Sequence, residues 1–339
     1  MVSTNIRMEL SVIIVNWNSA ELLRTCLKSV LSSSATCDLE VLVIDNASYD
    51  GSAEMVANEF PSVTFIQSEE NMGFSGGNNR AFQESSGKNV LFLNPDTELV
   101  DDALGTMLAV LKTRPDAGVI GPKLVNPDLS VQIDCMRAFP TILNQLFDSS
   151  ATRKVFAKFD FGGVKPVIEE SNDPVSVEML PGTCVMLRRE VFDQAGRFNE
   201  KYFMYAEDVE LSYQVKNAGW TNYYVARAAV IHHGGRSSEQ KGESFFSTVM
   251  MRETVWQFLR ATHGQWYAQV YRTTICLAAV GRITVLGLLW LLPVSRQIRS
   301  HAARSCHKWI KVLRWSVGLE SWAREYKPAP TQGRRVVTA

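Results

Sequence analysis

Short apolar runs and amphipathic stretches alternate through the first third of this 339-residue chain. Residues 10–15 (LSVIIV), 39–44 (LEVLVI), 63–67 and 90–93 are brief and rich in β-branched side chains, the pattern of strands buried on both faces. Between them, residues 19–32 place Leu22, Leu23, Leu27, Val30 and Leu31 on one side of a predicted helix, and 52–60 and 78–85 predict two more. Strands alternating with helices imply right-handed crossovers and a doubly wound, mostly parallel α/β sheet. Ligands of such sheets sit beyond the carboxyl ends of the strands. Residues 126–173 break the rhythm with Pro127, Pro140, Gly162, Gly163 and Pro166, and read as loops and short elements inserted into the domain. A second block of strand and helix signals covers 175–231. From 245 the pattern is helical, first over 245–262.

The apolar stretch 275–294 (ICLAAVGRITVLGLLWLLPV) has one charge in twenty residues and is long enough to reach across ~30 Å of hydrocarbon, with Arg282 placed to snorkel from one end. Beyond it, Cys306, Trp309, Ile310, Leu313 and Val317 recur at helical spacing, while Arg304, Lys308, Lys311 and Arg314 lie elsewhere on the circumference. This predicts a basic amphipathic helix of the kind that lies in a membrane interface. The charge distribution agrees. The chain is formally neutral, yet from Arg296 onward ten Lys/Arg stand against two Asp/Glu, a net +8 that leaves −8 for the rest. An acidic body with a basic tail is expected to meet an anionic membrane surface; a helical cap on the body is the alternative. The expected division is a catalytic domain over 1–240, with a nucleotide-binding half to about 125 and an acceptor half over 126–240, then a helical region over 241–339. Residues from about 275 onward are expected to be dispensable for the catalytic fold.

The composition, 46% hydrophobic and 21% charged, is that of a globular chain with little room for disorder. Six scattered cysteines without CxxC or metal-like spacing suit a reducing compartment, and no signal-peptide pattern opens the chain. A cytoplasmic protein, peripheral or monotopic at the inner face of the cell membrane, is therefore expected, and the sequon at Asn46 is incidental. The tail's basic residues are interleaved with Trp and Leu, so nucleic acid is not an expected partner.

Candidate chemistry lies in the polar turns after the strands. Asp96 and Glu98 follow the run VLFL and Asn94 and could hold a hard divalent ion against a diphosphate, although a helix N-terminus would favour the same residues. Asn16-Trp17-Asn18 ends the first strand, Asp45 to Ser52 the second, and Asn71 to Arg80 follows the third. That last turn offers Gly73 and Gly77 for close approach, the polar Asn78, and Arg80 for a phosphate. No G-x-G-x-x-G follows the first strand and no Walker A sequence is present, which argues against dinucleotide and P-loop chemistry. Further along, Glu207 and Asp208 open a helical stretch and offer a general base for an acceptor hydroxyl. His232 and His233 precede Arg236, a candidate for the diphosphate.

The ordered set NWN, IDNASYDGS, ENMGFSGGNN, NPDTE, LPGTCVMLRREVF, GRFNEKYFMYAEDVEL and IHHGG resembles the family 2 glycosyltransferases, especially their bacterial rhamnosyltransferase-like branch, over residues 10–262. The resemblance implies a GT-A fold, a Mg²⁺ or Mn²⁺ cofactor and inversion at the anomeric carbon. It implies Asp45 on the nucleobase, Asp96 on the metal–diphosphate, Glu98 as a second metal carboxylate, and Asp208 as base with Glu207 orienting the acceptor. It also implies that His232 closes over metal or diphosphate. Asn199 and Gln214 depart from the family's usual Asp and Arg. The implied activity is sugar transfer from a nucleotide-diphosphate donor, first of all dTDP-L-rhamnose, to a lipid-linked glycan. A UDP-hexose or UDP-N-acetylhexosamine donor is the alternative within the same chemistry. A nucleotidyltransferase lacks its expected basic Gly-rich loop here, and a catalytically silent membrane scaffold would not need Asp96 and Asp208.

Overall fold

The computed structural model describes residues 8–33, 37–132, 135–147, 168, 170–234, 245–288, 295–324 and 326. Strands β1 (Leu10–Asn16), β2 (Leu39–Asp45), β3 (Thr64–Gln67) and β4 (Asn89–Leu93) pair in parallel in the order β3-β2-β1-β4. The chain steps outward from β1 to β3 and then returns past β1 to β4. The reversal opens a crevice at the carboxyl ends of β1 and β4, the usual ligand position in such sheets. Both central strands are buried almost throughout, which is why they read as unbroken apolar runs.

Helices α1 (Ala20–Ser32) and α2 (Ser52–Glu59) cover one face, and α3 (Gly73–Glu84) the other. α3 begins five residues before the predicted start, so the glycine-rich segment is its first turn rather than a loop. Glycine costs ~1 kcal/mol in a helix, and close packing outweighs that here. A Cβ on Gly77 would stand 3.0 Å from Val15 Cγ1, so only a bare backbone lets α3 settle onto β1.

The helix that Asp96 and Glu98 would have opened does not form there. Thr97–Val100 is strand β5, and α4 (Ala103–Thr113) starts later under an Asp102 N-cap whose carboxylate accepts from Gly105 N at 3.1 Å. The rest of the sheet is mixed. β6 (Ala117–Val125) is followed by a short α5 (Ile142–Phe147), β7 (Val175–Val177), β8 (Cys184–Arg188), α6 (Arg189–Gln194), α7 (Glu207–Asn217) and β9 (Thr221–His232). β8 lies antiparallel between β4 and β6, and β6 runs parallel to β9. The far edge of β9 is shared by β7 at its start and β5 at its end. α6 and α7 lie on the same face as α3, with Phe82 of α3 edge-on to Phe192 of α6. All six cysteines are free.

The C-terminal region is a helical hairpin of α8 (Phe246–Leu288), broken at Gly264 (φ 87°, ψ 171°), and α9 (Arg296–Ser316), followed by a 3₁₀ turn at Ser321–Arg324. α9 corrects the expectation of a face laid on a membrane. Ala302, Val312 and Trp315 are buried in the hairpin, Trp309 and Leu313 half-buried, and only Ile310 and Val317 of the predicted face are exposed. Trp315 Nε1 donates to the buried Glu253 carboxylate at 2.7 Å. Arg272 donates to the Trp315 and Ser316 carbonyls at 2.6 and 3.0 Å, satisfying acceptors that a helix end leaves open. Arg282 does not snorkel: it donates to Leu146 O at 2.8 Å and lies 4.1 Å over the Trp309 ring. The tail is thus part of a second apolar cluster, which also takes in Tyr202, Ala206 and Val209 around the start of α7. The exposed apolar surface lies instead on the outer half of α8, at Trp266, Val270, Leu277, Val280 and Leu288. Among the described residues, α8 is the one helix long and apolar enough to cross a membrane, with 22% of its most apolar stretch buried. Of the predicted apolar segment, residues 289–294 lie outside the described residues.

Candidate active site

The strand ends bring most of the predicted residues to one edge of the sheet. Asn16, fully buried at the end of β1, donates through Nδ2 to Asp45 Oδ2 at 2.7 Å and to Ser52 Oγ at 2.9 Å. Asp45 Oδ1 accepts from Ser48 N at 2.7 Å and from Gln67 Nε2 at 3.0 Å. Its carboxylate, 1% exposed, is therefore engaged by the chain's own donors and shapes the turn. Asn46 donates to Gly73 O at 2.9 Å, and Asn71 Oδ1 accepts from Gly73 N at 2.9 Å, tying the second and third turns together. Asn16 Oδ1, Asn46 Oδ1 and Ser75 Oγ are buried without hydrogen-bond partners among the described residues, which is uncommon away from a ligand site.

Two carboxylate–imidazole pairs stand side by side where β5 meets the end of β9. Asp96, 5% exposed, has its Oδ2 3.6 Å from His232 Nε2, while Glu98 is bonded to His233 Nε2. The tautomer of His232 follows from Gln132. That amide donates to His232 O at 2.8 Å and to Asn126 Oδ1 at 3.0 Å, so its oxygen is the atom facing His232 Nδ1 at 3.0 Å. An acceptor there requires the proton on Nδ1, leaving a lone pair on Nε2. Burial lowers the pKa of His232 despite the nearby Asp96, keeping the ring neutral. The Nε2 lone pair therefore faces an Asp96 carboxyl oxygen with no imidazole N–H between them. That arrangement fits a divalent cation and is poor without one. Among the described residues no group of three His, Cys, Asp or Glu side chains gathers around a point, and those residues offer two ligands here. Magnesium sites are commonly completed by water and substrate phosphates.

Glu207 and Asp208 open α7 behind two consecutive left-handed non-glycine residues, Tyr205 (φ 70°) and Ala206 (φ 68°). Each such conformation costs ~1–3 kcal/mol and persists where packing over-determines it. Asp208 Oδ2 accepts from Gly182 N at 3.0 Å, and the next residue, Thr183, accepts through its carbonyl from Asn94 N at 2.9 Å. The Gly182–Thr183 step thus fastens Asp208 beside the segment that carries Asp96. Burial, and then the charge of Asp208, push the Glu207 carboxyl well above the usual carboxylate range; its Oε2 has no partner among the described residues. Burial disfavours charge on Glu207, and Asp208 is the carboxylate fastened beside the Asp96 segment, so by position Asp208 suits the role of base.

Two predicted residues fall elsewhere. Arg80 sits on the outer surface of α3 in an i,i+4 ion pair with Glu84 at 2.6 Å, away from the phosphate site expected for it. Asn78 is buried and donates to Phe74 O of its own helix at 3.0 Å, while its neighbour Asn79 bonds across to Phe198 and Glu200. Arg236 lies outside the described residues. Gln132 and Gly182 were missed. The first lies in the irregular stretch that carries no periodicity, and the second acts through a backbone N–H that no side-chain pattern marks.

The family model of glycosyl transferase family 2 matches residues 11–196, more than half of the chain. An N-acetylglucosaminyl-diphospho-decaprenol L-rhamnosyltransferase of Mycobacterium tuberculosis is 28% identical over 262 residues, covering 72% of this chain and 82% of the relative. A mannosyltransferase of Pyrobaculum calidifontis, solved with GDP-Man and Mn²⁺, superposes with a TM-score of 0.56 at 16% identity, covering 93% of this chain and 88% of that one. GalNAc-T7 with UDP, GalNAc and Mn²⁺ gives 0.52 at 14% identity, with 77% and 56% covered. The fold is accordingly GT-A with a helical extension, and the sequence is similar to the rhamnosyltransferase-like branch. Motifs, sheet and match agree, and the chain belongs to glycosyl transferase family 2.

Proposed function

We propose that this glycosyltransferase moves a sugar from a nucleotide-diphosphate donor to a hydroxyl of a lipid-linked glycan, inverting the anomeric carbon. The observation that carries the reading is the bare facing of Asp96 and His232 beside a base, Asp208, fastened to the same turn. Asp96 and neutral His232 would hold Mg²⁺ or Mn²⁺, which when bound offsets the charge left on the departing diphosphate. Glu98, engaged by His233, fixes the second imidazole rather than acting as a primary ligand. The turns at Asn16, Asp45 and Asn71–Gly77 enclose the nucleotide, with Asp45 shaping the wall that the base meets. Asp208 takes the acceptor's proton as that oxygen attacks, with Glu207 buried beside it.

An L-rhamnosyl donor and a lipid-linked diphosphate acceptor are supported by the activity named for the mycobacterial relative, and the dTDP carrier is the one the family resemblance implies. UDP-hexose donors remain the second choice, because the polar turns at Asn16 and Asp45 carry no feature particular to thymine. A panel of nucleotide sugars, each scored for protection against melting with and without Mn²⁺, tests the assignment. Metal-dependent protection by a dTDP sugar above its UDP counterparts is expected. Equal melting with every donor and metal would defeat it.

The outer half of α8 and the exposed Arg296, Arg299, Arg304 and Lys308 of α9 give an apolar surface with basic neighbours, which supports peripheral contact with the inner face of the membrane. The full-length chain should co-sediment with anionic vesicles. Salt should release it only in part, because each basic side chain contributes ~1 kcal/mol while the apolar face is insensitive to screening. Leu277→Glu with Val280→Glu should leave the protein in the supernatant; unchanged binding of that variant would remove α8 from the contact.

A further inference from the structure

We propose that the C-terminal aromatic residues Phe246, Trp322 and Tyr326 position the catalytic base by bracing Phe203, and so make the end of the chain a working part of the active site. The proposal rests on Asp208 being the base.

The segment from Phe203 to Asp208 is held from two sides. On the nucleotide side, Phe203 O accepts from Phe74 N at 3.1 Å, at the first turn of α3. The fit leaves no room: a Cβ on Gly73 would lie 2.4 Å from that same oxygen, and Gly73 itself has φ 71°. Gly73 O in turn accepts from Asn46, so the backbone of Phe203 is linked to the nucleotide turn by two hydrogen bonds. On the other side the Phe203 ring meets Tyr326 edge-on, centroids 5.1 Å apart. Tyr326 packs edge-on against Phe246 at 4.7 Å, and Phe246 stacks on Trp322 at 5.4 Å with the planes 22° apart. The contact spans 123 positions of sequence, from 203 to 326.

The far end of this brace is itself anchored. Trp322 Nε1 donates to Glu320 Oε2 at 2.8 Å, and Glu320 Oε1 accepts from Arg314 Nε at 2.7 Å, so the 3₁₀ turn is tied back to α9. α9 is tied in turn to α8 by the bond from Trp315 to Glu253. The strained pair Tyr205–Ala206 lies between the braced Phe203 and Asp208, and Ala206 belongs to the same apolar cluster as α8. Two consecutive left-handed non-glycine residues hold their shape only where neighbours enforce it. Here the neighbours on one side come from the last helices. Loss of the ring at 326 frees Phe203, relaxes the turn and lets the Asp208 carboxylate drift from its place beside Gly182. None of these rings needs to touch substrate for that to happen.

The test uses the full chain with Tyr326→Ala, Tyr326→Phe and, as a control on the base, Asp208→Asn. Hydrogen exchange requires no substrate: amides of residues 203–209 should exchange faster in Tyr326→Ala, β1–β4 should be unchanged, and Tyr326→Phe should match the parent. In turnover with dTDP-L-rhamnose, or with whichever donor the panel selects, kcat should fall ~10- to 100-fold in Tyr326→Ala, a loss typical of a displaced catalytic group. The donor KM and the melting temperature should stay put. Parent-like exchange at 203–209 in Tyr326→Ala overturns the brace, as does a fall in kcat that tracks a general loss of melting temperature. If Asp208→Asn turns over normally, the base assignment has failed instead, and the exchange result still decides whether the tail holds the 203–209 segment.

Discussion

Asp208→Asn is expected to bind its nucleotide sugar as tightly as the parent while transfer collapses by ~10²–10⁴-fold, the span general-base catalysis commonly contributes. The substitution is chosen because it is isosteric and its amide oxygen can still accept from Gly182 N, so it removes the basicity at the cost of the second acceptor, which faces Val209 N. Isothermal calorimetry with the donor, set beside initial rates with acceptor, separates the two effects. A large loss of donor affinity with little change in turnover would move Asp208 out of the acceptor side and into the donor site.

Asp96→Ala should abolish transfer by a different route. It leaves the Nε2 lone pair of His232 without the opposing carboxylate, so metal affinity and donor affinity should fall together. Loss of one group that stabilises developing charge commonly costs ~10²–10³-fold in rate, and rising Mn²⁺ should recover only part of it. Glu98→Gln is the internal comparison. Because Glu98 is already bonded to His233, its change should cost much less than that of Asp96. Activity of Asp96→Ala within a fewfold of the parent at saturating Mn²⁺ would refute the role, and so would equal losses at the two positions.

The nucleotide half was legible because its strands are short and buried on both faces, so burial and β-propensity point the same way. Boundaries moved where tertiary packing opposed local propensity. α3 starts at Gly73 because glycine is needed against Val15 and Phe203, although glycine alone argues for a loop. The Asp96–Glu98 segment looks like a helix entrance by composition, yet long-range pairing with the end of β9 makes it a strand. Most site residues found in advance sit at or just after strand ends, where topology alone predicts convergence; Glu207 and Asp208, which open α7, were marked by their paired carboxylates instead. Those missed depend on the path of the chain. Gln132 fixes the tautomer of His232 across 100 positions, and Gly182 contributes an N–H rather than a side chain. Arg80 went astray because charge was legible while the direction in which its helix face points was not. The amphipathic tail was recognised correctly as a helix, but a face made for another helix has the same spacing as one made for lipid.

The break in α8 bears on how chains of this kind diversify. Without it, 43 residues would make a rod of about 65 Å at 1.5 Å per residue, and any change at one end would lever the other. Gly264 has open space where a Cβ would go, so it is kept for its backbone angle and not for fit. Beyond it, Ala268, Tyr271, Ile275 and Ala279 stay buried in the hairpin, whereas Trp266, Val270, Leu277 and Val280 face outward and can change in character without touching that core. With the membrane contact proposed above, changes at those outward positions alone would re-address the enzyme to a different lipid environment without re-optimising its chemistry. The aromatic rings at the chain's end set a bound on that freedom: any replacement must still return the last turn to Phe203.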